Sequence, residues 1–246
     1  MKILLAGDST VANCPTSEYP MSGWGTQLPR HVYTWAAVHN FAKGGASTES
    51  FREEGLWGKL LETAGEGDLV LIQFGHNDQK KVHLAARTGY AANLRTMVAE
   101  VRALGAVPVL CTSVERRHFL DGPGGRPGLD SFLEESLEDY PEVVREIALE
   151  LQLPVVDLNT WTRALYVELG VDESQSLFCH FDPGEHAFWP AGLADNTHFS
   201  QRGAALVAEE VAAQLDRLGF RPGRSGSQDG TTAGLTTAVL TTAVRG

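Results

Sequence analysis

Short apolar runs alternate with segments of helical periodicity along residues 1–220. The apolar runs cover residues 1–6, 37–41, 68–75, 107–113 and 154–158. The helical segments cover residues 47–54, 90–104, 140–151, 160–169 and 200–218. Continuous apolar runs are typical of parallel strands covered on both faces, and apolar residues three or four positions apart are typical of amphipathic helices. The alternation predicts an α/β fold, a flavodoxin-like three-layer α/β/α sandwich with a five-stranded parallel sheet.

The pattern changes at residue 221. Residues 221–246 lack large apolar side chains at regular spacing, and they contain three near-repeats that begin with Thr-Thr-Ala. Such a segment buries too little apolar surface to offset the entropy lost on ordering. We expect one folded domain over residues 1–220 and a low-complexity, disordered tail over residues 221–246, to which we assign no function.

Composition and charge exclude several classes of partner. The chain has 246 residues, 43% of them hydrophobic, and a net charge of −11. An acidic surface repels the phosphate backbone, so we expect no nucleic-acid partner. The first apolar run is shorter than the ~7–15 residues of a signal-peptide core, and no run approaches the ~18 residues of a membrane span. We therefore expect a cytoplasmic protein without membrane contact, whose oligomeric state the sequence leaves open.

A serine follows the first apolar run in the sharp turn Gly7-Asp8-Ser9-Thr10. This motif is also a common helix cap, so it indicates catalysis only if partners exist elsewhere. Asp195 and His198 stand three residues apart, so the carboxylate can orient the imidazole and leave its second nitrogen as a base. A serine hydroxyl needs such a base near neutral pH. We predict Ser9, Asp195 and His198 as nucleophile, orienting carboxylate and base.

Donors for the oxyanion of an acyl-transfer reaction follow three different predicted strands. The backbone amide of Ser9 follows the first strand, Gly45 lies in a glycine pair after the second, and Asn77 follows the third. Because the carboxyl ends of parallel strands share one edge of a sheet, we expect these groups to form an oxyanion hole.

Four blocks carry these candidate groups in a fixed order. They are Gly7-Asp8-Ser9-Thr10, Gly45 after Asn40-Phe41-Ala42-Lys43-Gly44, Gly75-His76-Asn77-Asp78, and Asp195-Asn196-Thr197-His198-Phe199-Ser200. Between them come Thr112-Ser113-Val114-Glu115-Arg116-Arg117-His118-Phe119, Asp139-Tyr140-Pro141, Val156-Asp157-Leu158-Asn159 and Pro183-Gly184-Glu185-His186. The blocks resemble those of the SGNH hydrolases and, within them, the rhamnogalacturonan acetylesterase group. The resemblance implies the same roles for the five named residues. Ala46 departs from it, because members of the group often have arginine there.

The resemblance implies a serine esterase of class EC 3.1.1.- that removes acetyl groups from plant cell-wall carbohydrate. Its substrate would be acetylated rhamnogalacturonan or a related pectic oligosaccharide, cleaved through an acyl-enzyme, with no cofactor and no metal ion. Polar and aromatic residues that flank the predicted sheet edge are candidates for substrate binding: His76, Arg116, His186 and Trp189. For Arg116 and the adjacent Arg117, salt bridges to nearby glutamates are the competing interpretation.

Histidine and aromatic residues are concentrated in residues 177–190, which we predict as a loop. His180 and His186, with Asp182, would be candidate metal ligands, but the segment has neither a His-x-x-x-His motif nor paired cysteines. We therefore expect both histidines to line the cleft or lie on the surface.

Three alternative functions stay open. A lipase or thioesterase of the same superfamily would act on a different acyl ester. A metal-dependent phosphoesterase is suggested by Gly7-Asp8 and Gly75-His76-Asn77-Asp78, but Val11 stands where a bridging aspartate is expected and the His-Asn order is reversed. A carbohydrate-binding protein without catalysis is disfavoured, because all five named groups are retained.

Overall fold

A five-stranded parallel sheet forms the centre of the computed structural model, which describes residues 1–122 and 131–223. The strands are β1 (Lys2–Gly7), β2 (Ala37–Asn40), β3 (Leu69–Gln73), β4 (Val107–Cys111), β5 (Phe119–Leu120), β6 (Phe132–Leu133), β7 (Val155–Val156), β8 (Phe178–Phe181) and β9 (Leu193–Phe199). The central sheet has the order β2-β1-β3-β4-β7, and the pairs β5-β6 and β8-β9 are antiparallel.

Helices cover both faces of the sheet. They are α1 (Trp24–Gln27), α2 (Pro29–Val32), α3 (Thr48–Glu53), α4 (Leu56–Thr63), α5 (Ala91–Ala103), α6 (Tyr140–Glu150), α7 (Leu158–Gln175) and α8 (Gln201–Arg217). Ile3 and Leu5 of β1 pack with α1, α2, α7 and α8, whereas Leu4 and Ala6 pack with α3 to α6. Successive strand residues point to opposite faces, so a run that is apolar throughout serves both layers. The predicted three-layer α/β/α sandwich is confirmed.

The carboxyl ends of β1, β2 and β3 meet at one edge of the sheet. β1 lies between the other two, and Leu5 is in register with Asn40 on one side and Leu71 on the other. The direction in which strands are added to the sheet reverses here, and open α/β sheets bind ligands at such a point. The segments that follow these three strands are therefore neighbours.

Residues 177–190 are not the simple loop that we predict. Phe178 of β8 pairs with Phe199 of β9, and their rings lie 5.3 Å apart. The ring of Phe178 also lies 5.4 Å from that of Tyr166 in α7. Phe178 packs into the core, and this packing favours a strand in a segment that we predict as a loop.

Other boundaries differ in smaller ways. Helix α4 is absent from the predicted elements, β7 has only two residues, and α7 extends to Gln175 through a left-handed Gly170 with φ 70°. Expectations for residues 123–130 and 224–246, including most of the predicted tail, lie outside the described residues. Among the described helices, none is long and apolar enough to cross a membrane.

Candidate active site

The turn after β1 carries Ser9 at the carboxyl edge of the sheet. Glycine is needed at Gly7, because a Cβ there would lie 2.6 Å from Cγ2 of Val11. The Asp8 carboxylate accepts hydrogen bonds from the backbone N–H and the hydroxyl of Thr10, at 3.0 and 2.8 Å. These contacts fix the turn, and Ser9 within it is half-buried.

Two side chains from near the end of the domain, those of Asp195 and His198, join Ser9 at this turn. His198 Nε2 lies 3.1 Å from Ser9 Oγ, and His198 Nδ1 lies 2.7 Å from Asp195 Oδ2. The other oxygen of Asp195 accepts backbone hydrogen bonds from Thr197 and His198, both at 2.7 Å. The carboxylate is therefore held on both sides, and the imidazole is oriented with Nε2 toward the hydroxyl. Such an order suits proton transfer from serine to histidine.

Asp195 and His198 shift each other's pKa. The hydrogen bond that His198 donates to Asp195 raises the pKa of His198. Burial opposes this rise, and the charges of Asp195, Asp8 and Glu18 reinforce it. Burial alone would raise the pKa of Asp195, but the hydrogen bonds from His198 and the Thr197 N–H outweigh it and lower that pKa. Asp195 thus stays ionised beside an imidazole whose protonated form it stabilises.

The loop after β2 brings Gly45 to the same place. A Cβ at Gly44 would lie 3.9 Å from Cβ of Ser9, and Gly45 has φ 78°, which favours glycine. Within residues 1–122 and 131–223, the backbone N–H groups of Ser9 and Gly45 donate to no protein acceptor. Asn77 Nδ2 donates to the Ala46 carbonyl oxygen at 3.0 Å, which holds the amide against this loop and leaves one hydrogen for another acceptor.

A series of buried hydrogen bonds connects the Ser9 turn to Gln73 of β3 and Trp24 of α1. Trp24 Nε1 donates to Gln73 Oε1 at 2.9 Å, and Gln73 Nε2 donates to Thr10 Oγ1 at 2.6 Å. Thr10 in turn donates to Asp8, whose Oδ2 lies 3.2 Å from His76 Nδ1. Burial alone would raise the pKa of Asp8, but His76 and the Thr10 donors hold it below its ordinary value. Gln73 is not among the predicted site residues, although a polar side chain at the end of an apolar run is a signal for it.

His76 is buried next to Asp8, which lies in the turn that carries Ser9. Its side chain is 4% exposed, and its Nε2 is buried without a hydrogen-bond partner in the described chain. Nearby, Asp78 Oδ1 accepts hydrogen bonds from the Thr48 N–H and hydroxyl. Burial, only partly offset by these bonds and reinforced by the charge of Asp8, raises the pKa of Asp78 to about 6. The structure places His76 in the interior, and its predicted contact with the substrate stays a prediction.

The expected salt bridges of Arg116 and Arg117 to glutamates are absent from the part of the chain that the structure describes. Arg117 is buried, and it donates to Ser174 Oγ at 2.9 Å, to Asn196 Oδ1 at 2.8 Å and to the Val171 carbonyl oxygen. It therefore links α7 to β9 beside the catalytic candidates. Arg116 is half-buried on the other side, near the segment that follows β3.

His186 and Trp189 lie in a half-exposed aromatic cluster. The Trp189 indole donates to the Tyr19 carbonyl oxygen at 3.0 Å, and the His186 ring lies 5.9 Å from the rings of both Tyr19 and Phe188. Tyr19 and Phe188 remain about half exposed, and neither is among the predicted residues. The cluster joins the β8-β9 connection to the segment that follows Ser9.

His180 lies in β8 and is half-buried. Its Nε2 lies 3.0 Å from Asn196 Oδ1, whereas Asp182 is exposed. Among the described residues, no three metal-ligating side chains come together in a way that would hold an ion. In this structure His180 contacts Asn196, and the His186 ring contacts those of Tyr19, Phe181 and Phe188.

The chain matches a known protein family and is similar to known proteins. The family described as GDSL-like lipase/acylhydrolase matches residues 5–206. The chain is 43% identical over 220 residues to the rhamnogalacturonan acetylesterase RhgT of Bacillus subtilis, covering 89% of this chain and 91% of that protein.

Solved structures give the same fold. Protein YxiM of Bacillus subtilis matches with a TM-score of 0.71 and 26% identity, covering 89% of this chain and 56% of that chain. A lipase/acylhydrolase from Enterococcus faecalis matches with a TM-score of 0.58 and 22% identity, covering 88% and 96%. At that identity the second likeness concerns the fold alone.

Proposed function

The chain belongs to the GDSL-like lipase/acylhydrolase (SGNH) family of carboxylic ester hydrolases, and from this premise we propose that it removes acetyl groups from rhamnogalacturonan or a related pectic oligosaccharide. The 43% identity to RhgT over most of both chains supports this substrate class. The observation that carries the proposal is the continuous contact from Asp195 through His198 to Ser9. We assign the activity to a domain over residues 1–220.

Acylation begins at Ser9. Its Oγ attacks the ester carbonyl carbon while His198 Nε2 accepts the hydroxyl proton, and Asp195 stabilises the imidazolium that forms. The carbonyl oxygen becomes an oxyanion, for which the N–H groups of Ser9 and Gly45 and the free Nδ2 hydrogen of Asn77 are the donors. The tetrahedral intermediate then expels the sugar oxygen, which takes the proton from His198. The products are the free sugar hydroxyl and acetyl-Ser9.

Deacylation reuses the same groups. His198 accepts a proton from a water molecule, whose oxygen attacks the acetyl carbon of acetyl-Ser9. When this second intermediate collapses, Ser9 Oγ leaves and recovers its proton from His198, and acetate is released. The two half-reactions need no group beyond the five named residues and water.

A second candidate is an esterase for longer acyl chains, because the family description includes lipases. A lipase site needs continuous apolar surface for its acyl chain, and each methylene in a fitting pocket improves binding by ~0.8 kcal/mol. The described contacts of Ser9 are instead polar, and a half-exposed aromatic cluster around Tyr19 and Phe188 joins the segment that follows Ser9 to the β8-β9 connection. Such a mixture suits sugars, whose C–H faces pack on aromatic rings while their hydroxyls need polar partners.

Two substrate panels test the proposal. Acetate release should be fastest from acetylated rhamnogalacturonan oligosaccharides and slower from acetylated xylan oligosaccharides. On p-nitrophenyl esters, kcat/KM should fall from acetate through butyrate to octanoate, and EDTA should not change it. A rise of kcat/KM with chain length would favour the lipase candidate, and inactivation by EDTA that added zinc or manganese reverses would favour a metal-dependent phosphoesterase.

A further inference from the structure

The proposed orienting carboxylate and base lie in a bulge of strand β9. His180 of β8 is in register with Ala194, and Phe178 of β8 is in register with Phe199. Between these two pairs β8 has one residue and β9 has four, residues 195–198. A bulge can re-aim side chains at an active site, but it interrupts the ladder of hydrogen bonds that fixes a strand. Contacts from other parts of the chain must therefore hold these four residues in place.

Arg117 contacts the middle of this bulge at Asn196. Its backbone N–H donates to the Asn196 carbonyl oxygen at 2.8 Å, and its Nη1 donates to Asn196 Oδ1, also at 2.8 Å. His180 Nε2 lies 3.0 Å from the same Oδ1. Asn196 directly follows Asp195, whose Oδ1 accepts from the His198 N–H at 2.7 Å. A displacement of Asn196 would therefore move both members of the catalytic pair.

The same guanidinium is anchored on helix α7. Nε of Arg117 donates to Ser174 Oγ at 2.9 Å, and Nη2 donates to the Val171 carbonyl oxygen. Ser174 Oγ in turn donates to the carbonyl oxygen of Gly170, the left-handed residue within α7, at 2.5 Å. Because a guanidinium is planar and its donors point in fixed directions, these bonds hold the bulge of β9 at a defined position relative to α7.

Arg117 supplies directed hydrogen bonds rather than neutralisation of a carboxylate. It is 7% exposed, and its side-chain acceptors are neutral oxygen atoms of Asn196, Ser174 and Val171. Burial lowers the pKa of Arg117 and the charge of Asp172 opposes this, but a guanidinium stays protonated near neutral pH. A buried charge is costly unless it is hydrogen-bonded, so these bonds are strongly held.

We propose that Arg117 is a positioning residue of the esterase reaction, which acts on the catalytic pair through Asn196. By fixing the bulge, it keeps His198 Nε2 directed at Ser9 Oγ, 3.1 Å away. The inference rests on the proposed function and concerns the same site. Since misplacement of a reacting group by about 1 Å can cost about 10²-fold in rate, a loosened bulge should lower kcat.

The pKa of the His198 imidazole reports this role without requiring catalysis. It is measured by NMR titration in the wild type, Arg117→Gln and Asn196→Ala, and the His198 signal is the one missing from His198→Ala. The hydrogen bond to Asp195 raises this pKa, so a loosened bulge should lower it toward the ~6.5 of a free imidazole in both variants. Loss of the Arg117 charge would by itself raise the pKa, so a fall in Arg117→Gln reports changed geometry.

Kinetics on p-nitrophenyl acetate give the second readout. Arg117→Gln and Asn196→Ala should lose about 10- to 100-fold in kcat, with KM within about threefold of the wild type. Arg117→Lys, which keeps the charge and loses the planar donors, should be intermediate. In an Asp195→Asn background, Arg117→Gln should cost less than about threefold, because the contact that it protects is already weakened. If Arg117→Gln does not fold, Asn196→Ala carries the test, since it leaves the contacts of Arg117 with α7 in place.

Arg145→Gln is the matched control. Arg145 of α6 also joins two elements, and its side chain donates to Asp157 and Thr160 at the start of α7 and to Glu142 within α6. These bonds lie away from β9. The control should lower the free energy of unfolding and leave kcat and the pKa of His198 unchanged.

A pKa of His198 that is unchanged or raised in Arg117→Gln and Asn196→Ala, or a loss of kcat no larger than in the control, would overturn the positioning role. Acetate release from acetylated pectic oligosaccharides by the wild type tests the proposed function separately. Release without the fall in pKa would leave the proposed function standing and reject the role of Arg117. A fall in pKa and kcat on p-nitrophenyl acetate without such release would keep that role and reject the proposed function.

Discussion

Two Asp–His pairs lie at the same edge of the sheet and differ in access. In the first, His198 and Asp195 are 33% and 18% exposed and lie 2.7 Å apart. In the second, His76 and Asp8 are 4% and 0% exposed and lie 3.2 Å apart. The second nitrogen of His198 reaches Ser9, whereas that of His76 is buried without a partner in the described chain.

The comparison shows that the pairing alone does not define a catalytic base. Both pairs combine a carboxylate with an imidazole nitrogen, and in both the carboxylate also accepts backbone hydrogen bonds. The position of the second ring nitrogen decides which histidine can act as the base, because a general base must reach the proton that it removes. We therefore assign proton transfer to His198, and we assign to the buried pair the support of the turn that carries Ser9.

The largest expected difference between the two pairs, in kcat, comes from replacing each histidine in turn. His198→Ala should lower kcat by about 10⁴- to 10⁶-fold on p-nitrophenyl acetate, because it removes the base. Its free energy of unfolding should fall by only about 1 kcal/mol, the net value of a typical intramolecular hydrogen bond. Kinetics and urea denaturation on the same preparation give both numbers.

His76→Ala is the matched control, with His76→Asn as a second variant if the first does not fold. Removal of His76 leaves the Asp8 carboxylate buried with Thr10 as its remaining partner, so the free energy of unfolding should fall by about 3 kcal/mol. The loss of kcat in the folded fraction should be far smaller than for His198→Ala. Equal losses of kcat in the two variants would contradict the distinction.

A smaller effect is expected at Asn77. Asn77→Ala removes one of three proposed oxyanion donors and should lower kcat by about 10²- to 10³-fold with little change in KM. Asn93→Ala is a suitable control, since Asn93 is also half-buried and donates through Nδ2, but to Thr48 and away from the sheet edge. A fully active Asn77→Ala variant would remove this residue from the oxyanion hole.

The pH dependence of kcat/KM gives the smallest expected difference between the two Asp–His pairs. The base must be neutral, so kcat/KM should rise with pH through the pKa of His198. Because the Asp195 hydrogen bond raises that pKa, the midpoint should lie above the ~6.5 of a free imidazole. Asp195→Asn should move the midpoint down and reduce kcat, and Asp8→Asn should move it down only slightly. The opposite ranking of the two variants would indicate that His76 is the base.

Much of the site follows from strand-end motifs in the sequence. Ser9 and Asn77 follow uninterrupted apolar runs, and the order of such runs with helices predicts that their carboxyl ends share one edge. The three-residue spacing of Asp195 and His198 also corresponds to the observed contact. The spacing of nearby residues and the direction of a strand depend on short stretches of sequence, so they can be predicted from the sequence.

Burial and long-range pairing could not be predicted in this way. His76 precedes Asn77 and has the polar character of a surface residue, yet Asp8 in the turn after β1 provides its buried partner. The β8-β9 pairing depends on Phe178 and Phe199 packing together from positions that are 21 residues apart in the sequence. Arg116 and Arg117 are adjacent in sequence and take different environments, because their partners come from distant parts of the chain. Arg117 donates to Ser174 and Asn196, whereas Arg116 donates to Gln79 and Ser136.

The most direct test of the central claim is to locate the nucleophile by covalent labelling. The protein is treated with a p-nitrophenyl alkylphosphonate, which reacts with activated serines, and the modified peptide is identified by mass spectrometry. We predict a label on Ser9 in the wild type, none in Ser9→Ala, and very slow labelling in His198→Ala, together with a loss of about 10⁶-fold in kcat for Ser9→Ala. A label on another residue, or a Ser9→Ala variant that keeps its activity, would contradict the account.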